Sequence, residues 1–271
     1  MTAATATANP QRRQAGRIQP PSRLLMLAEG RALCEAAATL AIWPLLQLAP
    51  RGDGHPVLVL PGLVASDAST GLLRRYLKDR NYEVHGWGLG RNLGPRAGVE
   101  DAMIARIETL YDQSGGRKVS LVGWSLGGVY ARLLANRMPE RVRSVITLGS
   151  PFTGSPRASN AWRVYEGVSG QSAEDPPRMN HVRPTPPMPA TSIFSRTDGI
   201  VAWQCSVDEI GPTSENIEVM GSHVGLGAHP AVLYAVADRL AQPEGAWKPF
   251  KREMLGPLVY PDPARTADFA I

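Results

Sequence analysis

The sequence predicts an α/β fold: about six mainly parallel strands with helices on both faces of the sheet. Three observations carry this. Short unbroken runs of β-branched and aliphatic residues, such as Val57-Leu58-Val59-Leu60, suit strands buried on both faces. Between such runs, apolar residues recur at helical spacing, as at Met103, Ile104, Ile107, Leu110 and Tyr111. The two patterns alternate through most of the 271 residues, which points to crossover helices on a parallel sheet.

In chain order, residues 1–22 read as a flexible tail rich in Ala, Thr, Gln and Arg, with Pro10, Pro20 and Pro21. Ser22 can cap an apolar helix from about Arg23 to Ile42, with Arg31 and Glu35 paired one turn apart. Pro44 should end or kink it, so residues 23–50 form an N-terminal unit before the main α/β domain over 51–242. Strands are expected at Val57–Leu60, Tyr82–Trp87, Lys118–Val122, Val142–Leu148, Thr191–Ser195 and Asn216–Met220. Helices are expected at Leu72–Arg80, Val99–Tyr111, Leu126–Arg137 and Ala231–Leu240. Residues 152–190 break the rhythm, with six prolines between Pro176 and Pro189. An irregular insertion of that length suits a small cap rather than a plain connection. Residues 243–271 show little pattern and are expected to run extended over the surface.

Composition excludes several classes. With 43% hydrophobic and 20% charged residues, the chain is neither collagenous nor wholly disordered. The net charge of +5 is modest, and Arg12, Arg13, Arg17 and Arg23 lie in the tail rather than on a folded face, so no nucleic-acid partner is expected. The two cysteines, Cys34 and Cys205, stand apart without neighbouring ligands. That argues against a metal site or disulfide framework and for a reducing, cytoplasmic setting. No secretory signal is read in the first residues, and Ala36–Leu48 is too short to span a bilayer.

The chemistry is written in Gly123-Trp124-Ser125-Leu126-Gly127, which fits G-x-S-x-G. The bare pattern is weak, but here a strand runs into it and a helix leaves it. Small residues at 123 and 127 let strand and helix pack around a sharp turn that thrusts the Ser125 hydroxyl above the sheet edge. The helix start beneath offers backbone N–H groups to an anion. With this nucleophile elbow the chain resembles the α/β-hydrolase superfamily, in particular its smaller bacterial lipases and esterases, over about residues 55–241.

The resemblance implies a catalytic Ser–acid–His set in that chain order. A serine needs a base to take its proton. His55 and His85 precede Ser125, and His181 precedes the candidate acid, which leaves His223 and His229. His223 follows the last expected strand, where the superfamily's histidine lies, whereas His229 precedes Pro230 and suits a helix cap. Asp198, just past the strand Thr191–Ser195, is the expected acid; Asp208 and Glu209 are rivals without a strand before them. The oxyanion hole should take the N–H of Leu126 and one from the loop Leu60-Pro61-Gly62-Leu63-Val64. Leu63 is the first choice and Val64 the second. Many relatives carry His-Gly where this chain has Pro61-Gly62.

The implied function is hydrolysis of carboxylic esters with apolar acyl groups through an acyl-enzyme, on a small-molecule or lipid ester. Val64 and Trp124 are candidate pocket residues beside Leu63 and Leu126. No cofactor or metal is implied. An acyltransferase, a thioesterase or amidase would use the same residues, and a catalytically silent binding module is the alternative from another class. The oligomeric state is open. The N-terminal helix carries so much apolar surface that it is expected to pack on the domain, with peripheral membrane contact through residues 23–48 as the second possibility.

Overall fold

The computed structural model describes residues 18–173, 182–252 and 256–265. Its centre is a six-stranded sheet with β1 Pro56–Leu60, β2 Glu83–Gly86, β3 Val119–Trp124, β4 Val142–Leu148, β5 Ala190–Phe194 and β6 Ser214–Glu218. The strand order is β2-β1-β3-β4-β5-β6, and every pairing is parallel. The strands lie within two residues of the ranges expected from the sequence, β6 departing furthest.

Alternation along β1 sends its side chains into two cores. Val57 and Val59 face α4 (Gly71–Asp79) and α8 (Pro230–Leu240), meeting Leu73, Leu77 and Val232. Leu58 and Leu60 face α5 (Val99–Gln113) and α6 (Leu126–Arg137), meeting Ile107, Ala131 and Leu134. The register pairs Leu60 with Gly123, so the ends of β1 and β3 open on the same edge. That edge carries the loops considered below, as open parallel sheets require of a ligand site.

Three expectations are corrected. The insertion is not irregular throughout, because α7 spans Trp162–Ser169 within it; residues 174–181, including two of its prolines and His181, lie outside the described residues. The helix expected over Arg23–Ile42 is broken into α1 (Arg23–Leu27), a 3₁₀ turn (Ala28–Arg31), α2 (Ala32–Ala41) and α3 (Trp43–Leu46). Gly30, a poor helix former, sits in that turn. Ser22 does cap α1, accepting the Leu25 N–H at 3.3 Å, and Arg31 pairs with Glu35 at 3.3 Å. The C-terminal segment does more than cover surface. Tyr260 is buried in the α8 core and donates to the Ala231 carbonyl at 2.7 Å.

The N-terminal helices pack on the domain through Leu46 and Trp43, yet most of their leucines stay outside. Glu29 and Thr39 are buried beneath them, while Leu27, Leu33 and Leu48 remain 76%, 80% and 79% exposed. Charged groups face inward because the loops below supply their partners, among them the Thr197 carbonyl, which accepts from Arg31 at 2.6 Å.

Candidate active site

β3 ends at Trp124 and α6 begins at Leu126, leaving Ser125 alone to turn the chain. Its backbone takes φ 53° and ψ −122°, a conformation that costs an L-residue about 1–3 kcal/mol. The Ser125 N–H donates to the Leu148 carbonyl at 2.8 Å, which ties the turn to β4. A glycine is required at 127 because a Cβ there would stand 2.2 Å from the Leu60 carbonyl oxygen.

The Ser125 hydroxyl lies 3.0 Å from His223 Nε2, and His223 Nδ1 lies 2.6 Å from Asp198 Oδ2. A carboxylate only accepts, so the imidazole proton belongs on Nδ1 and Nε2 is left to accept from the hydroxyl. Asp198 is fixed in turn: its Oδ1 accepts the Ile200 and Val201 N–H groups at 2.8 and 2.7 Å. Burial disfavours a charged His223, but the charge and hydrogen bond of Asp198, with the charge of Glu29, outweigh it and hold the imidazole above the ordinary histidine range. A hydroxyl beside a base in this arrangement can be made nucleophilic.

The competing residues have other partners. Asp208 forms a buried ion pair with Arg132 at 2.5 Å and accepts from Thr185 at 2.9 Å. His229 caps α8, its Nδ1 accepting the Ala231 N–H at 3.2 Å. His55 is buried between Asp53 at 2.6 Å and the Ser120 hydroxyl at 2.9 Å, and burial lowers its pKa to about 4. Among the described residues no group of three His, Cys, Asp or Glu side chains could hold a metal ion.

Beside Ser125 opens a cavity of about 280 Å³ whose walls include Met103, Val129, Leu133, Trp162 and Tyr165. Leu63 and Leu126 border it together with Ser125. Val64 does not. Its N–H donates to the Asn92 carbonyl at 2.7 Å and its side chain is 40% exposed, so neither reading of Val64 fits. Trp124 also stands outside the cavity. It packs on the opposite core from Leu126, and its indole N–H donates to the His223 carbonyl at 3.0 Å. Successive residues at the end of a strand point to opposite faces, which separates Trp124 from the pocket.

Three contributors escaped the sequence reading. Asn92, fully buried, donates from Nδ2 to the Pro61 carbonyl at 2.8 Å and so braces the loop that carries Leu63. Gly149 has φ 54°, and a Cβ there would sit 3.1 Å from both Asp198 Oδ2 and His223 Nδ1. Glu29 reaches the same loops from the N-terminal unit. Its only signal was a carboxylate, one of two with Glu35, in a leucine-rich run.

The alpha/beta hydrolase fold family profile matches residues 56–175. Over 110 residues the chain is 29% identical to a triacylglycerol lipase of Pseudarthrobacter phenanthrenivorans, covering 37% of this chain and 34% of that protein. A triacylglycerol lipase of Burkholderia plantarii matches at the same identity over 110 residues, 37% of this chain and 30% of its own length. The match thus spans about a third of these curated relatives. Among solved structures, Aspergillus fumigatus lipase B superposes with a TM-score of 0.58 at 15% identity, covering 77% of this chain and 57% of that one. The mature lipase BlEst2 of Bacillus licheniformis superposes at 0.52 with 18% identity, covering 72% and 95%. At such identities the structures share a fold.

Proposed function

We propose that this chain, a member of the α/β-hydrolase superfamily, is a serine hydrolase that cleaves carboxylic esters through an acyl-enzyme. The observation that carries the reading is the hydrogen-bonded chain Ser125–His223–Asp198 at the edge of an apolar cavity. Ser125 Oγ attacks the ester carbonyl carbon while its proton passes to His223 Nε2. The carbonyl π electrons move to oxygen, which receives the N–H groups of Leu63 and Leu126. Collapse breaks the bond to the alcohol oxygen, which takes the proton from Nε2. A water then attacks the acyl-enzyme with His223 as base, and Ser125 leaves with that proton. Asp198 holds the imidazole in the required tautomer and stabilises the imidazolium.

The acyl group is taken to enter the cavity between α5, α6 and α7. Its walls are mostly apolar, and its volume suits short and medium acyl chains better than long ones. Covalent labelling by a fluorophosphonate at Ser125, with a p-nitrophenyl ester series from acetate to palmitate, tests both points. Labelled, active protein with a preference for short or medium chains is expected; folded protein that takes no label would overturn the reading. Filling the pocket by Val129→Trp should lower kcat/KM for octanoate at least ~10-fold while sparing acetate, since each lost methylene site is worth about 1–3 kcal/mol. An equal loss on both substrates would place the acyl group elsewhere.

The reading extends to a peripheral lipid surface carrying ester substrates. Leu24, Leu27, Leu33, Leu40, Leu45 and Leu48 are exposed, while the acids of the same segment point inward. Arg12, Arg13, Arg17 and Arg23 adjoin this face in sequence and suit anionic headgroups. Among the described residues no helix is long and apolar enough to cross a membrane. The protein should float with phosphatidylglycerol vesicles, and the double variant Leu33→Glu, Leu40→Glu should not. Wild-type protein that stays in the dense fraction, or a dimer in solution that the variant splits, would overturn the lipid assignment. A cytoplasmic location belongs to the same reading, supported by the free, exposed thiol of Cys34.

A further inference from the structure

Two loops must keep a fixed spacing if Asp198 is to serve His223, and they are joined by a residue far from either in sequence. Glu29 lies in the turn between α1 and α2 and is 8% exposed. Its Oε1 accepts the N–H of Gly199 at 2.7 Å and the N–H of His223 at 3.0 Å; Oε2 accepts the N–H of Val224 at 2.8 Å. One carboxylate thereby bridges the residue that follows Asp198 and the backbone of His223 itself. Such charge-assisted bonds are shorter and stronger than neutral ones, and an apolar side chain at 29 would leave two buried donors, of Gly199 and His223, and the part-buried one of Val224 without a partner.

The N-terminal unit repeats the device at Glu35. Glu35 accepts from the Ser222 N–H at 2.8 Å and from the Ser222 hydroxyl at 2.6 Å. Arg31 spans the two sides, pairing with Glu35 at 3.3 Å and donating to the Thr197 carbonyl and hydroxyl at 2.6 and 3.0 Å. The fit is close: a Cβ at Gly199 would stand 2.3 Å from the Leu25 carbonyl oxygen. The inward charges of the N-terminal unit therefore all meet residues 197–199 or 222–224.

We propose that Glu29 is a positioning residue of the triad, clamping the acid and histidine loops together and setting the charge that the imidazole ring feels. The inference rests on the serine-hydrolase reading above. The charged groups facing His223 are Asp198 from the loop after β5 and Glu29 from the N-terminal unit; Glu35 and Arg31 lie one layer out and pair with each other. Both inner charges favour the imidazolium, in keeping with the raised pKa of His223. Removing the charge at 29 must lower that pKa. Because the base works as the neutral imidazole, the acidic limb of activity then moves to lower pH.

The test is Glu29→Gln in the full chain, read by the pH profile of kcat/KM on a p-nitrophenyl ester, alongside Glu29→Asp and wild type. For Glu29→Gln we expect kcat down about 10–100-fold, by analogy with the loss on removing the outer partners of metal-bound histidines. KM should change little, and the acidic limb should shift to lower pH. Glu29→Asp keeps the charge on a shorter arm, so its limb should stay in place while kcat falls. If Glu29→Gln does not fold, a displaced limb in Glu29→Asp overturns the assignment and an unmoved one with reduced kcat supports it. Folded Glu29→Gln with an unmoved limb overturns the proposal, whatever its kcat. Failure of the underlying reading looks different: wild type itself would then take no fluorophosphonate.

Discussion

Ser125→Ala is expected to abolish turnover and phosphonate labelling without lowering the melting temperature. The substitution removes one hydroxyl and keeps the Cβ, so the strained turn and its tie to Leu148 are unchanged. What remains is whatever the Leu63 and Leu126 N–H groups and the cavity achieve with water alone. Loss of a triad serine lowers kcat by about 10⁶ in the best-studied comparison, because the three groups act as one unit. His223→Ala should therefore match Ser125→Ala within error, and the double variant should be no worse. His229→Ala loses the cap of α8, about 1 kcal/mol of stability, and a hydrogen bond with the Met220 backbone, but no part of the triad. Steady-state rates on one ester, with thermal melts, decide it. Retention of more than about a tenth of wild-type activity by Ser125→Ala would show that another nucleophile carries the reaction.

Asp198→Asn is expected to lower kcat by about 10⁴ while preserving the fold. The amide oxygen can still accept from Ile200 and Val201, which holds the loop. Its NH₂ would then face His223 Nδ1 and donate, forcing the ring proton onto Nε2. In that tautomer the ring cannot accept from Ser125. The sign of the pH effect follows from the same loss of charge. Asp198 helps hold the pKa of His223 above the ordinary range, so its removal lowers that pKa and the residual activity should persist to lower pH. The contrast is Asp208→Asn. That change weakens a buried pair with Arg132 and should cost stability, up to about 3–5 kcal/mol, rather than a step of catalysis. A mild loss at Asp198 with a severe loss of kcat at Asp208 in folded protein would reverse the assignment.

The elements of the sheet and the three residues that meet at its edge were legible because their signals are local. A strand buried on both faces must be a run such as Val57–Leu60. A nucleophile on a tight strand-to-helix turn needs small residues at 123 and 127. The family resemblance implies an acid and a base that each follow a strand, and that position favours Asp198 over Asp208 and His223 over His229. Spacing likewise marked His229 as a cap, since it directly precedes Pro230. What the linear pattern did not contain were relations between segments far apart. Trp124 adjoins Ser125 in sequence, yet strand alternation turns it to the other core, beneath the His223 loop. Val64 adjoins Leu63, yet its N–H is taken by Asn92. The N-terminal run looked apolar all round, so burial of its leucines was expected. Instead Leu46 alone among its leucines is buried and Glu29 and Glu35 turn inward, because the N–H groups of Gly199, Ser222, His223 and Val224 lack strand partners and take these carboxylates as acceptors. Local residue pattern thus determined the sheet, and with the family resemblance it determined the candidate triad. Only the folded chain decided what supports them, since a buried donor takes its partner from whatever the tertiary structure sets beside it.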